Sequence, residues 1–145
     1  MLDRRRFLHT LGALGVAAAV PGTVFSKFKA YPFTLGVASG YPAPRGIVLW
    51  TRLMGELDPV AIPVRWEIGA DEAMKSIVLS GVTSADPAWA HSARVEVQSL
   101  EPERWYWYRF TAGDAQSPVG RTRTAPPVGA HTREVLAALA AEEVS

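Results

Sequence analysis

The chain has 145 residues, of which 48% are hydrophobic and 20% charged, with a formal net charge of +1. That length and balance point to one ordinary globular domain. Cysteine is absent, which excludes disulfides, a thiolate nucleophile and cysteine-ligated zinc or iron–sulfur sites in this chain. Arg4, Arg5 and Arg6 hold most of the basic excess. After residue 26 there are 12 Lys/Arg against 13 Asp/Glu, so the body is near neutral. No clustered basic face is visible, and nucleic acid is not an expected partner.

The first 26 residues read as an export signal. Basic residues 4–6 precede an apolar run over residues 11–20, too short to span a bilayer as a stable helix. The pair Arg4-Arg5, one free position, then Phe7-Leu8 fits the twin-arginine pattern, which makes the twin-arginine export machinery an expected partner. The run is rich in Gly and Ala, and cleavage is expected after Ser26, with Val24 and Ser26 preceding it. The alternative, a short buried helix with a basic end, fits less well at the very start of a chain. The expected location is the periplasm or the extracellular space, with no stable membrane span after cleavage.

Residues 31–126 read as short strands separated by turns. Residues 33–39 make a first strand, ended by Gly40 and Tyr41-Pro42-Ala43-Pro44, and residues 47–53 a second. In residues 62–68, Val64, Trp66 and Ile68 alternate with Arg65 and Glu67, the pattern of a half-buried strand. A turn at Gly69-Ala70-Asp71 leads to residues 76–82, and Ala93, Val95 and Val97 then alternate with polar residues. Residues 105–112 form an aromatic strand, with Tyr106, Tyr108 and Phe110 on one face and Trp105, Trp107 and Arg109 on the other. Residues 119–124 close the set, and residues 132–143 in the tail read as a short helix. About seven strands at this spacing predict an all-β fold, an antiparallel sandwich.

The spacing Leu100-x-Pro102-x-x-x-Tyr106 sharpens that expectation. It resembles the start of the next-to-last strand in fibronectin type III modules, where a tyrosine hydroxyl bonds back to the preceding turn, the tyrosine corner. Trp50 resembles the core tryptophan of the second strand in those modules. The predicted fold is therefore an Ig/fibronectin-like β-sandwich over residues 31–126, between a signal helix (1–26) and a divergent, helical tail (127–145).

Candidates for chemistry are few. His9, His91 and His131 have no ligand spacing, and His91 reads as a solvated turn residue. Glu67 is expected to face solvent, Asp71 and Glu72 lie in a turn, and Glu101 and Glu103 flank Pro102. Ser39-Gly40 lacks the frame of a nucleophile elbow. Trp105 and Trp107 beside Arg109 are the better candidates, as an interface or a sugar platform. Against that, Arg123 and neighbouring strands could cover them by stacking within the sheet.

The segments 33–40, 47–53, 64–68, 105–110 and 117–126, in this order, resemble the N-terminal domain of the alkaline phosphatase D (PhoD-like) family, twin-arginine signal included. Tyr41-Pro42 departs from the pattern, since the family usually has Asp-Pro there. The resemblance implies an exported phosphomonoesterase or phosphodiesterase with an iron–calcium centre. It also implies that the metal ligands belong to a second, larger metallophosphatase domain, so no catalytic, metal or cofactor residue carries over to this chain. The tail from Pro127 onward reads as leaving the family's pattern, as a truncated or split gene would. Two functions stay open. One is a non-catalytic domain, inactive alone, that packs through Trp105, Trp107 and Arg109 against a catalytic half, joined or supplied in trans. The other is a free-standing secreted binding module for glycan or protein.

Overall fold

The computed structural model describes residues 27–129 and 131–142; the expected export signal, residues 1–26, lies outside them. The strands are β1 (Val37–Ala43), β2 (Gly46–Arg52), β3 (Ile62–Gly69), β4 (Ile77–Ala85), β5 (Ser92–Val97), β6 (Trp105–Ala112), β7 (Ala115–Gln116) and β8 (Gly120–Arg123). A helix, α1 (Thr132–Glu142), follows. One sheet has the order β1-β2-β5, and the other has β4-β3-β6, with β7 and β8 lying in turn along the free edge of β6. All pairings are antiparallel. The chain crosses between sheets after β2, β4 and β5, so the fold is an all-β sandwich. β7 and β8 act as one interrupted strand, which reconciles eight short strands with a seven-strand pattern.

The core follows from period-two alternation on each strand. Ile47 and Leu49 of β2, Val95 and Val97 of β5, Val64 and Ile68 of β3, and Tyr106, Tyr108 and Phe110 of β6 meet between the sheets. Two glycines make room for rings. A Cβ on Gly81 would lie 2.6 Å from Trp66 Cζ2, and one on Gly120 would lie 2.5 Å from Tyr108 Cζ. Burial pushes the Tyr108 phenol above its ordinary value, partly offset by a hydrogen bond with the Ser39 hydroxyl. Among the described residues, no buried side-chain nitrogen or oxygen lacks a partner.

The first strand differs from its expected span. Gly36 at φ +72° closes a turn in which its N–H donates to Phe33 O at 3.0 Å, so pairing starts only at Val37. Phe33, 1% exposed, remains a core anchor without belonging to a strand. At the other end pairing passes through Tyr41-Pro42 to Ala43, with an irregularity between Gly40 and Ala43. β1 is a sheet edge, where a proline removes no ladder bond.

Trp50 is not the core tryptophan. Leu49 and Thr51 are the inward residues of β2, both fully buried, and Trp50 lies half-buried on the outer face between Ala38 and Arg94. Register decides this, because a one-residue slip would send the whole alternating set outward. Thr51 tolerates burial because its hydroxyl donates to Gly36 O at 2.9 Å.

Candidate functional site

The outer face of the β4-β3-β6-β8 sheet gathers the residues expected to matter. Trp105 lies opposite Arg123 and Trp107 opposite Arg121 on β8, while Arg109 lies opposite Glu67 and Trp107 opposite Gly69 on β3. Glu67 is therefore not a free solvent residue. Arg109 Nε donates to its Oε2 at 2.8 Å, and the two side chains are only 24% and 17% exposed. Such a pair is screened less than a surface pair.

Trp105 is 45% exposed, and its ring is flanked rather than covered. The Arg121 guanidinium carbon is 4.3 Å from the ring centroid and that of Arg123 is 5.7 Å away. Arg123 also reaches Glu103 at 3.3 Å. Such cation–π contacts are worth about 0.5–1 kcal/mol at exposed sites. Arg121 was missed in the sequence reading. Its signal was present, since Arg121 and Arg123 share strand parity, but only the register with β6 shows which arginine sits nearer the ring. Trp107 is half-buried beside Gly69. The face thus combines one half-exposed tryptophan, one half-buried tryptophan and an arginine rim.

On the inner side of the same strand, the Glu101 N–H donates to Tyr106 Oη at 3.0 Å, the hydrogen bond of a tyrosine corner. Leu100 and Tyr106 are each 2% exposed, and Pro102 lies in the turn between them. The Thr124 hydroxyl donates to Glu101 O at 2.7 Å, so both backbone groups of Glu101 are held.

The remaining candidates have structural roles. His91 is half-buried, with Nε2 3.2 Å from Asp58 O and 3.3 Å from Val60 O, so it ties the β2–β3 connection rather than sitting in solvent. His131 lies 3.4 Å from Glu134 at the start of α1. Asp71 accepts from the N–H groups of Ser76 (2.7 Å) and Lys75 (3.2 Å), which hold its carboxyl below the usual value. Among the described residues, no three His, Asp or Glu side chains converge to hold a metal ion. These residues do not fit the iron–calcium centre that the resemblance implies. No helix among them is long and apolar enough to cross a membrane.

The family model for the PhoD-like phosphatase N-terminal domain matches residues 16–126, which takes in the whole sandwich. The chain belongs to this family. It is 42% identical over 154 residues to alkaline phosphatase D of Bacillus subtilis (strain 168), a match covering 95% of this chain and 26% of that protein. A solved structure of PhoD is 47% identical with a TM-score of 0.69, covering 70% of this chain and 21% of its own. The sensor domain of an anti-sigma factor from Pseudobacteroides cellulosolvens, 8% identical with a TM-score of 0.50, covers 63% of this chain and 93% of its own, a likeness of fold alone. The chain spans about a quarter of the length of the curated relative it matches.

Proposed function

We propose that this chain is a non-catalytic packing domain of an exported PhoD-like phosphatase. The observation that carries the reading is the pairing of a complete sandwich with a match to only 26% of alkaline phosphatase D. In this reading phosphate-ester hydrolysis, and the iron and calcium that serve it, belong to the larger metallophosphatase portion. The sandwich seats that portion against Trp105, Trp107 and Arg109, whether it is joined or supplied in trans. The half-exposed Trp105 ring supports this face, since a large apolar group left open beside arginines suits an interface. The pure chain is expected not to hydrolyse p-nitrophenyl phosphate with added iron and calcium. Metal-dependent turnover above a heat-denatured control would overturn the reading.

The Arg4-Arg5-x-Phe7-Leu8 pattern supports delivery through the twin-arginine route to the periplasm or beyond. Replacing Arg4 and Arg5 together by Lys in a reporter fusion is expected to keep the reporter in the cytoplasm. Export unaffected by the double substitution would refute that route.

A further inference from the structure

Strand register gathers on one face the arginines that the sequence scatters. The charged residues on the strands of the larger sheet all point outward: Arg65 and Glu67 on β3, Arg109 on β6, Arg121 and Arg123 on β8. β4 and β7 carry no charge. Glu103, in the turn before β6, adds a second carboxylate. Four arginines therefore stand against two carboxylates, in a body with 12 Lys/Arg against 13 Asp/Glu. A basic face that is not visible along the chain is present in the fold. Segregation of this kind favours an anionic partner there without changing the total charge.

Two of the four arginines already have a carboxylate. Arg109 is held by Glu67 at 2.8 Å and Arg123 by Glu103 at 3.3 Å. Arg65 and Arg121 are exposed and make no ion pair among the described residues. Arg121 leans along the face: it lies opposite Trp107, yet its guanidinium carbon is 4.3 Å from the ring centroid of Trp105. Arg65 lies opposite Thr111 on one side and the exposed Val82 on the other. Strand spacing and rise per residue put the Arg65 and Arg121 Cα atoms roughly 16 Å apart. The Glu67–Arg109 pair lies between them.

We infer that this face takes a protein surface carrying two carboxylates, one meeting Arg121 beside Trp105 and the other meeting Arg65 beside Val82. The inference rests on the reading of the chain as a packing domain, and it names what the partner must present. That partner is the portion of the longer relatives beyond the matched 26%. β8 is the last strand and lies at the sheet edge, so the chain leaves the sandwich beside this face. The polypeptide that follows is tethered there, which raises its effective concentration at Arg121 and Trp105. An extended polyanion fits the face poorly, because Glu67 and Glu103 would lie under its charges. Discrete carboxylates on a folded surface avoid both and leave apolar contact over Trp105 and Val82.

The test is a chimera in which this chain replaces the matched quarter of alkaline phosphatase D. Scanning calorimetry is expected to show one cooperative transition for the parent chimera. Arg65→Glu with Arg121→Glu is expected to split it in two and to speed tryptic cleavage between the two portions about tenfold. Arg65→Lys with Arg121→Lys keeps the charge and is expected to keep the single transition. In the 145-residue chain itself the Glu double variant is expected to melt within about 4 °C of the parent, because both positions are exposed. A split in the chimera then reports lost docking, not a weakened sandwich. Polyphosphate added to the 145-residue chain at about 0.15 M salt is expected to leave tryptophan emission unchanged. A saturable shift that the Glu double variant abolishes overturns the inference in favour of a polyanion. A Glu double variant that keeps the single transition, while Trp105→Ser with Trp107→Ser splits it, overturns the inference and leaves the packing-domain reading standing. A parent chimera that already melts in two independent steps overturns both.

Discussion

Replacing Tyr106 by Phe isolates the tyrosine corner from the ring that fills the core. The ring is 2% exposed and stays in place, so the change removes only the oxygen that accepts the Glu101 N–H at 3.0 Å. A neutral hydrogen bond of this kind contributes about 0.5–1.5 kcal/mol net. Glu101 is solvent-exposed, so water can reach the freed N–H, which places the loss near 1 kcal/mol rather than at the 3 kcal/mol of a sealed donor. For a domain of this size, 1 kcal/mol corresponds to roughly 4–8 °C in Tm. Tyr106→Ala removes the ring as well and is expected to cost about 3–5 kcal/mol, a large part of the 5–15 kcal/mol of a typical domain. Urea unfolding followed by tryptophan emission reads both, with Trp105 and Trp107 as adjacent reporters. Thr124→Val tests the coupling, because its hydroxyl holds the carbonyl of the same Glu101. The single losses are then expected not to add. A Tyr106→Phe variant within about 0.3 kcal/mol of the parent, at unchanged m-value, would show that the hydroxyl does not hold the turn.

Three further outcomes are expected. Gly81→Ala forces a methyl to 2.6 Å from the Trp66 ring and should cost about 1–3 kcal/mol by overpacking, with a shifted Trp66 emission; an unchanged midpoint would refute the close approach. Breaking the Glu67–Arg109 pair by Glu67→Gln or Arg109→Gln should show a coupling of about 1 kcal/mol in a double-mutant cycle, and additivity of the two changes would remove the pair from the account of this face. Asp71 is held below its ordinary value of 3.8 by the Ser76 and Lys75 N–H groups. Its stabilising effect is therefore present in full above 3.8 and lost as pH falls through the lower folded value. Asp71→Asn should lower the urea midpoint at neutral pH and approach the parent in acid; a difference that is the same at all pH values would refute the linkage.

The fold was legible in the sequence wherever alternation was unbroken. β3, β5 and β6 carry period-two patterns, and their spans and inward faces follow from them. The sequence was harder to read where burial is local and register is set by distant strands. Residues 33–39 look like one extended run, yet Gly36 turns the chain within it, and Phe33 reaches the core from outside the sheet. Trp50 reads as core by residue type, but pairing with Ala38 and Arg94 puts it on the outside, leaving a threonine with a backbone acceptor to fill the inward place. The partner of Arg109 was equally unreadable, since Glu67 lies 42 residues away and becomes its neighbour only through β3–β6 registry.

The two faces of β6 have different physical standing. The inner one is fully accounted for: Tyr106, Tyr108 and Phe110 are each at most 2% exposed, and the corner hydroxyl has its donor. The outer one is only partly satisfied within the chain. Arg109 is neutralised by Glu67, and Arg121 lies against Trp105, so the face does not depend on a partner to hide unpaired charge. That limits what docking can gain there. Covering Trp105 removes the remaining 45% of its surface from water, but a partner must also meet Arg121 and Arg123, whose present contacts are solvent-exposed and weak. An apolar surface alone would strand these guanidinium groups, whereas carboxylates set around an apolar patch would satisfy them and screen the ring. The complementary surface expected for this face is therefore acidic at its rim and apolar at its centre.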